Sequence, residues 1–184
     1  AQIGEFVVIS AGVHIGRNVS VGRGTTIMHR ACVFDESHIG EDCWIGPSAV
    51  IGSYGFGLDA HGRLPHAGEV RLGDRVTIGA QTCIDRATIG TTRIGDDCHL
   101  DNLVQIGHNV ELGHGVVICG QAGIAGSTII GDGVIIGGQA GINGHLTIAS
   151  GSRIAAQSGV TRAISAAGEY SGHPAEPNRK RLRR

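Results

Sequence analysis

Along most of this 184-residue chain every sixth residue is aliphatic, a period that few folds can accommodate. The positions run through Ile3, Ile9, Ile15, Val21, Ile27, Val33, Ile39, Ile45 and Ile51, then Leu72, Ile78 and Ile84, then twelve in succession from Ile94 to Val160. Together they mark 24 hexads. A period of six matches neither an α-helix nor an alternating strand. It matches a short strand, a sharp turn and another short strand, and three such units close one triangular coil of 18 residues. The ruler residue then points inward and stacks on its counterpart one coil away, at the strand spacing of about 4.8 Å. The next residue is often glycine, as at Gly4, Gly16, Gly22, Gly107 and Gly137. Four positions after the ruler sits a small or β-branched residue, as at Val7, Ala31, Val104 and Ala122. Gly and small residues are expected at the turns, where positive φ or tight backbone approach is needed. The reading is an all-β parallel β-helix of about eight coils over residues 1–160.

Composition fits that reading. Glycine accounts for 32 residues and aromatics for 3%, so the core must be built from small and branched aliphatics rather than rings. There is no collagen-like G-X-Y period, and 41% hydrophobic content is too high for a disordered chain. Two breaks interrupt the ruler. Between Ile51 and Leu72 the spacing is 21, leaving an inserted loop at about 53–70 that carries Tyr54, Phe56, His61, Pro65 and His66. A loop of that length with two of the six aromatics is expected to be functional. Between Ile84 and Ile94 a bulge at Ala87–Thr92 is expected to be a tolerated surface insertion. Residues 161–184 read as a C-terminal extension: Thr161–Asn178 laid as a coat over the last coil, then a basic tail.

That tail, Arg179 to Arg184, holds five of the 15 basic side chains, so residues 1–178 carry a net charge of −6. The body is therefore no nucleic-acid surface. The five cysteines, Cys32, Cys43, Cys83, Cys98 and Cys119, form no C-x-x-C pair and are odd in number, which argues against a disulfide framework or a zinc ribbon. Small buried hydrophobes in a reducing compartment are expected instead. No leader or membrane-spanning apolar run is evident, so a cytoplasmic location is expected, with at most peripheral membrane contact. His108 and His114 are six apart, hence on adjacent faces of one coil, and no third ligand accompanies either; no zinc site is expected.

Coil arithmetic does point to one place for chemistry. Adding 18 to His108 gives Gly126, so the glycine stacks directly over the imidazole. Adding 37 gives His145, two coils up and one residue along. A base, a backbone N–H with no side chain in front of it and a second histidine would share one wall, an arrangement suited to amide formation: the base relieves an attacking amine of its proton while the N–H meets the developing oxyanion.

Several runs resemble one family closely, the UDP-3-O-acylglucosamine N-acyltransferases of lipid A biosynthesis, within the hexapeptide-repeat acyltransferases. They are Ile51-Gly-Ser-Tyr-Gly-Phe-Gly57, Thr82-Cys-Ile-Asp-Arg86, Leu100-Asp-Asn-Leu-Val-Gln-Ile-Gly-His-Asn-Val110, Gly123-Ile-Ala-Gly-Ser-Thr128, Gly137-Gly-Gln-Ala-Gly-Ile-Asn-Gly-His145, and Val160-Thr-Arg-Ala-Ile164 with the later Tyr170-Ser-Gly and Pro174-Ala-Glu-Pro-Asn178. The resemblance implies that the helix is left-handed, an exception to the usual right-handed crossover, and that it works as a homotrimer with sites between subunits. It implies an acyl, usually 3-hydroxyacyl, transfer from acyl carrier protein to the 2-amine of a UDP-sugar, with no bound cofactor, no metal and no acyl-enzyme. By that resemblance His108 is the general base, Asp101 bonds to it and fixes its tautomer, and Gly126 supplies the oxyanion N–H. Tyr54, Phe56, Asn102 and His145 fall to substrate binding. Family members carry an N-terminal uridine-binding domain that this sequence lacks, which points to a fragment or a short relative. They also continue into C-terminal helices, where this chain has its basic tail, expected to help dock the acidic carrier protein. Alternatives are a hexapeptide-repeat sugar acetyltransferase using acetyl-CoA and a truncated, non-catalytic relative.

Overall fold

The computed structural model describes residues 1–178, and the basic tail with its expected docking role lies outside the described residues. The chain is a left-handed parallel β-helix of triangular section. Its three faces are parallel sheets of mostly two-residue strands. The first face begins with Gln2–Ile3 and ends with Thr147–Ile148. The second runs from Val8–Ile9 to Arg153–Ile154 and beyond. The third runs from His14–Ile15 to Gly159–Val160 and includes Cys83–Asp85, Gln105–Ile106, Gly123–Ile124 and Gly141–Ile142.

Ruler residues stack as the period requires. Ile84, Ile106, Ile124 and Ile142 are register partners up the third face. From Ile27 to Val160 the ruler positions are buried, as are the small residues Ala31, Val76, Val104, Val116, Ala122 and Ala140 that fill the space between them. In the first coil Ile3 and Ile9 remain 45% and 44% exposed, with a coil packed on one side only.

The corners refine the expectation about glycine. Positive φ falls three residues after the ruler, and sixteen of those positions are not glycine, among them Asn18, Asp42, Asn109, Gln121 and His145. Their side chains project outward at the corner. The glycine directly after the ruler serves the other purpose, close approach: a Cβ on Gly22 would lie 2.5 Å from the Gly40 carbonyl carbon. Two residues after the ruler, a short polar side chain often caps the corner of the coil before it. The Arg17 N–H donates to Asp35 Oδ1 at 2.8 Å, Glu41 to Asp74 at 2.8 Å, Ala80 to Asn102 at 2.7 Å and His114 to Asp132 at 2.8 Å. Each bond satisfies a backbone donor that the strand ladders do not reach.

The count of eight coils is one partial turn short. Ile164 bridges to Ile148, and Glu169–Ser171 pairs in parallel with Arg153–Ile154, setting Tyr170 beside Ile154. The extension thus begins a ninth turn with a spacing of 16 instead of 18, which is why the ruler misses it. It then folds back as an antiparallel hairpin with Glu176–Pro177.

The core predicts its own sensitivity. Ile118, fully buried on the second face, meets rulers above and below. Ile118→Ala is expected to cost about 2–5 kcal/mol in urea unfolding. Gly22→Ala should also destabilise, because backbone and not a flexible side chain blocks the new methyl group, whereas Gly123→Ala, which meets nothing within 4 Å, should not.

Candidate active site

His108 occupies the corner-capping slot two residues after Ile106, but the residue above it breaks the capping rule. Where Asp74, Asn102 or Asp132 caps the coil beneath it, this corner has Gly126 and then Gly144, just as the neighbouring corner has Gly120 and Gly138. The vacated volume is filled by the His108 ring itself: a Cβ on Gly126 would sit 2.6 Å from His108 Nε2. The Gly126 carbonyl accepts from the His145 N–H at 3.1 Å, while the Gly126 N–H donates to no acceptor among the described residues. The expected neighbours, an imidazole nitrogen and an unused glycine N–H, therefore meet on the outer wall.

The tautomer of His108 is set by a residue the sequence reading passed over. The Asn109 amide is oriented from two sides: its Nδ2 donates to the Ile89 carbonyl at 2.8 Å, and its Oδ1 accepts from the Thr88 N–H at 3.0 Å. That Oδ1 lies 3.1 Å from His108 Nδ1 and so accepts Nδ1–H. Nε2 keeps its lone pair and faces Gly126. Thr88 Oγ1 adds a longer contact at 3.4 Å. The bulge at Ala87–Thr92, read as a bland insertion, thus holds the imidazole's partner; its signal was the Asn directly after His108, beside four residues that the coil count left over.

Asp101 does not make the expected bond within the protomer. It follows a strand of the second face, a corner away from His108, and its carboxylate is taken up by backbone: Oδ1 accepts from Asn102 N–H at 2.7 Å and Oδ2 from Gly120 N–H at 3.0 Å. Glycine at position 120 removes the usual cap, and Asp101 replaces it. Asn102 is itself a corner cap on Ala80 and takes no part in the His108 cavity. His145 is exposed and joins the site only through its N–H to Gly126.

A cavity of about 410 Å³ opens over His108 and Gly126. Tyr54 and Phe56 of the inserted loop form one wall, with Arg63, Asp85, Gln105 and Ala125. The loop carries a short hairpin, Leu58–Asp59 with Gly62–Arg63, and is pinned at its root by Arg86. That buried guanidinium donates to the carbonyls of Gly52 (2.8 Å) and Asp35 and lies over the Tyr54 ring, 5.6 Å from its centroid. Gln105, Ile124 and Ala125 also line a second concavity of about 480 Å³ that climbs the third face over Gly123, Gly141 and Gly159 to His173. A hollow of about 730 Å³ lies on the first face away from His108; of its lining residues, Arg71 pairs with Glu69 and His114 with Asp96. No group of three metal-ligating side chains occurs among the described residues.

Burial raises the Asp85 pKa above its ordinary 3.8, against the opposing pull of Gln105, Ser53, His66 and His108. An acid with a raised folded-state pKa contributes stability below its unfolded value and loses it as pH rises through the folded value. Relative to Asp85→Asn, the wild type should therefore become less stable from about pH 3.8 upward, levelling off once Asp85 is ionised, in urea melts at successive pH values. Gly126→Ala should displace the His108 ring, read from its imidazole resonances, while leaving the far-UV spectrum and melting transition nearly unchanged, since the atoms nearest its methyl group are those of that ring.

Residues 91–126 match the family described as bacterial transferase hexapeptide (six repeats), and residues 69–102 match the hexapeptide repeat of succinyl-transferase. The chain is 43% identical over 137 residues to a UDP-3-O-acylglucosamine N-acyltransferase of Anaeromyxobacter dehalogenans, covering 69% of this chain and 39% of the relative. It is 54% identical over 94 residues to UDP-3-O-acylglucosamine N-acyltransferase 2 of Legionella pneumophila, covering 49% and 27%. A probable UDP-3-O-acylglucosamine N-acyltransferase 2, mitochondrial, of Arabidopsis thaliana is 45% identical over 144 residues, covering 76% and 47%. The chain thus spans less than half the length of these curated relatives. Among solved structures, a UDP-N-acetylglucosamine acyltransferase of Bacteroides fragilis superimposes with a TM-score of 0.88 at 26% identity, over 100% of this chain and 72% of that one. No helix among the described residues is long and apolar enough to cross a membrane.

Proposed function

We propose that this chain, a hexapeptide-repeat protein related in sequence to the UDP-3-O-acylglucosamine N-acyltransferases, transfers an acyl group to the 2-amine of a UDP-linked, 3-O-acylated glucosamine. The observation that carries this reading is the pairing of a tautomer-fixed imidazole with an unused N–H at one wall of a cavity: His108 Nε2 beside Gly126. The acyl donor in this reading is a thioester on the phosphopantetheine arm of acyl carrier protein, as the family resemblance of the sequence implies.

The reaction then runs as follows. The acceptor amine attacks the thioester carbonyl carbon and forms the new C–N bond. Negative charge gathers on the carbonyl oxygen, where the Gly126 N–H donates to it; one such donor is commonly worth about 3 kcal/mol of barrier. His108 Nε2 takes the proton from nitrogen, and Asn109 Oδ1, bonded to Nδ1–H, stabilises the imidazolium. Collapse breaks the C–S bond, and the imidazolium returns its proton to sulfur as the carrier thiol leaves. Tyr54 and Phe56 supply apolar surface to the sugar or acyl pocket. The glycine-floored hollow beside Gly123, Gly141 and Gly159 offers the length for an acyl chain. His145 and Asn102, outside this cavity in one protomer, serve substrate only if a neighbouring subunit brings them near. A homotrimer with sites between subunits does that, and the outward Trp44, Val117 and Ile135 of the second face offer apolar surface for it.

Turnover with UDP-3-O-acylglucosamine and 3-hydroxyacyl carrier protein tests the proposal. His108→Ala should lower kcat by about 10²–10⁴-fold with the oligomer, read by light scattering, unchanged. Transfer from acetyl-CoA but not from the carrier thioester would replace this reading by a sugar acetyltransferase. No transfer from either would leave a non-catalytic scaffold.

A further inference from the structure

Asp85 is a buried carboxylate that forms no ion pair with a Lys or Arg among the described residues. It closes the strand Cys83–Asp85 on the third face, is 9% exposed, and lines the cavity that holds His108 and Gly126. Its Oδ2 accepts from Gln105 Nε2 at 3.0 Å, and its Oδ1 has only a long contact from Ser53 Oγ at 3.4 Å. A carboxylate offers about four acceptor sites, so Asp85 keeps spare capacity. Arg86, the adjacent residue, is spent on the carbonyls of Gly52 and Asp35. The groups acting on the Asp85 charge are imidazoles, His66 and His108. His66 is 3% exposed and edge-on to His108, with ring centroids 5.4 Å apart. Its Nδ1–H donates to the Leu64 carbonyl at 3.0 Å, and its Nε2 has no partner. A desolvated anion costs free energy unless something donates to it, and here the open side is the substrate cavity.

We propose that Asp85 accepts a hydrogen bond from the acceptor nitrogen and thereby selects an amine over a hydroxyl nucleophile; the inference rests on the N-acyltransferase reading above. The two nucleophiles differ in how many hydrogens they carry. A neutral amine carries two, so one can point to Asp85 while the other goes to His108 Nε2 as the C–N bond forms. An ammonium arriving from solvent is attracted by the same carboxylate. A hydroxyl carries one hydrogen. If it goes to His108, the oxygen presents only lone pairs to a carboxylate, and the contact becomes repulsive. If it goes to Asp85, the base has nothing to remove. Gln105 and Ser53 hold Asp85 for this task, and the glycine at position 55, where a Cβ would lie 2.9 Å from His66 Nε2, lets the loop close over it.

The test compares wild type with Asp85→Asn on two acceptors, UDP-3-O-acylglucosamine and its 2-hydroxyl counterpart UDP-3-O-acylglucose, using one carrier thioester. The substitution keeps the shape, and the melting transition serves as the control for folding. Losing a hydrogen bond to a charged group should lower kcat/KM for the amine by about 10- to 100-fold. The hydroxyl acceptor should hold or improve, so the ratio collapses. An equal fall with both acceptors would mean that Asp85 acts through His108 and would overturn the selectivity role. So would an unchanged ratio. Calorimetric binding of UDP-3-O-acylglucosamine in a His108→Ala background gives a readout without turnover, and Asp85→Asn should weaken it by a similar factor. If wild type transfers to no acceptor, the functional reading fails, yet the binding comparison still decides for or against Asp85. Should Asp85→Asn not fold, Asp85→Ser removes the same charge, and the ratio is expected to fall likewise.

Discussion

Vertical register between coils is the constraint on which the rest of the structure depends. Each ruler side chain is buried only because another lies one strand spacing above it and a third below. The same register lines up the corners, so whatever stands two residues after the ruler lies over its equivalent in the preceding coil. At several corners that coincidence is used for stability, by a short polar side chain that satisfies a corner N–H of its neighbour. In the column of His108 it sets an imidazole against a bare glycine. Glycine at positions 126 and 144 withholds the cap, leaves an N–H without an acceptor and opens the volume that an imidazole fills. The site is a local departure from the rule that builds the scaffold, and its members are fixed as firmly as the coils themselves.

The period made the architecture legible, since 24 aliphatic residues at one spacing admit little else. The same arithmetic placed Gly126 against His108, because a stacking relation needs only a residue count. It failed where contacts depend on side-chain direction or on segments that leave the count. Asp101 stands seven residues from His108 and resembles a triad partner in the sequence, but those seven residues cross a corner, and its oxygens answer nearby backbone donors first. Asn109 gained its role from the bulge at Ala87–Thr92, whose course no period describes. Asp85 stood within the family-like run Thr82–Arg86 with no role of its own, because its place in the cavity depends on the loop that carries Tyr54 and Phe56. The ninth turn escaped for a plainer reason, a spacing of 16 where 18 was sought.

Burial and charge around His108 point in one direction. Asn109, Thr88, Gln105 and Ser53 are neutral and bond to His108 or Asp85 without adding charge of their own. Arg86 sits close by but is turned away onto carbonyls and the Tyr54 ring, where it ties down the loop and leaves the carboxylate unneutralised.

Apart from a register shift at the root of the loop, where Asp85 pairs with Ser53, the two insertions leave the ladders above and below them in step. Thr77 pairs with Trp44 and with His99, although 33 residues separate it from one and 22 from the other. Extra chain expelled at a vertex returns to the same rung, so the cylinder neither tilts nor loses step. Recognition elements grafted at such a vertex can lengthen, shorten or change composition while the prism that aims His108 and Gly126 keeps its form. In a protein of this build, new substrate preference can arise by editing a flap, with little trade against the integrity of the shaft that carries it.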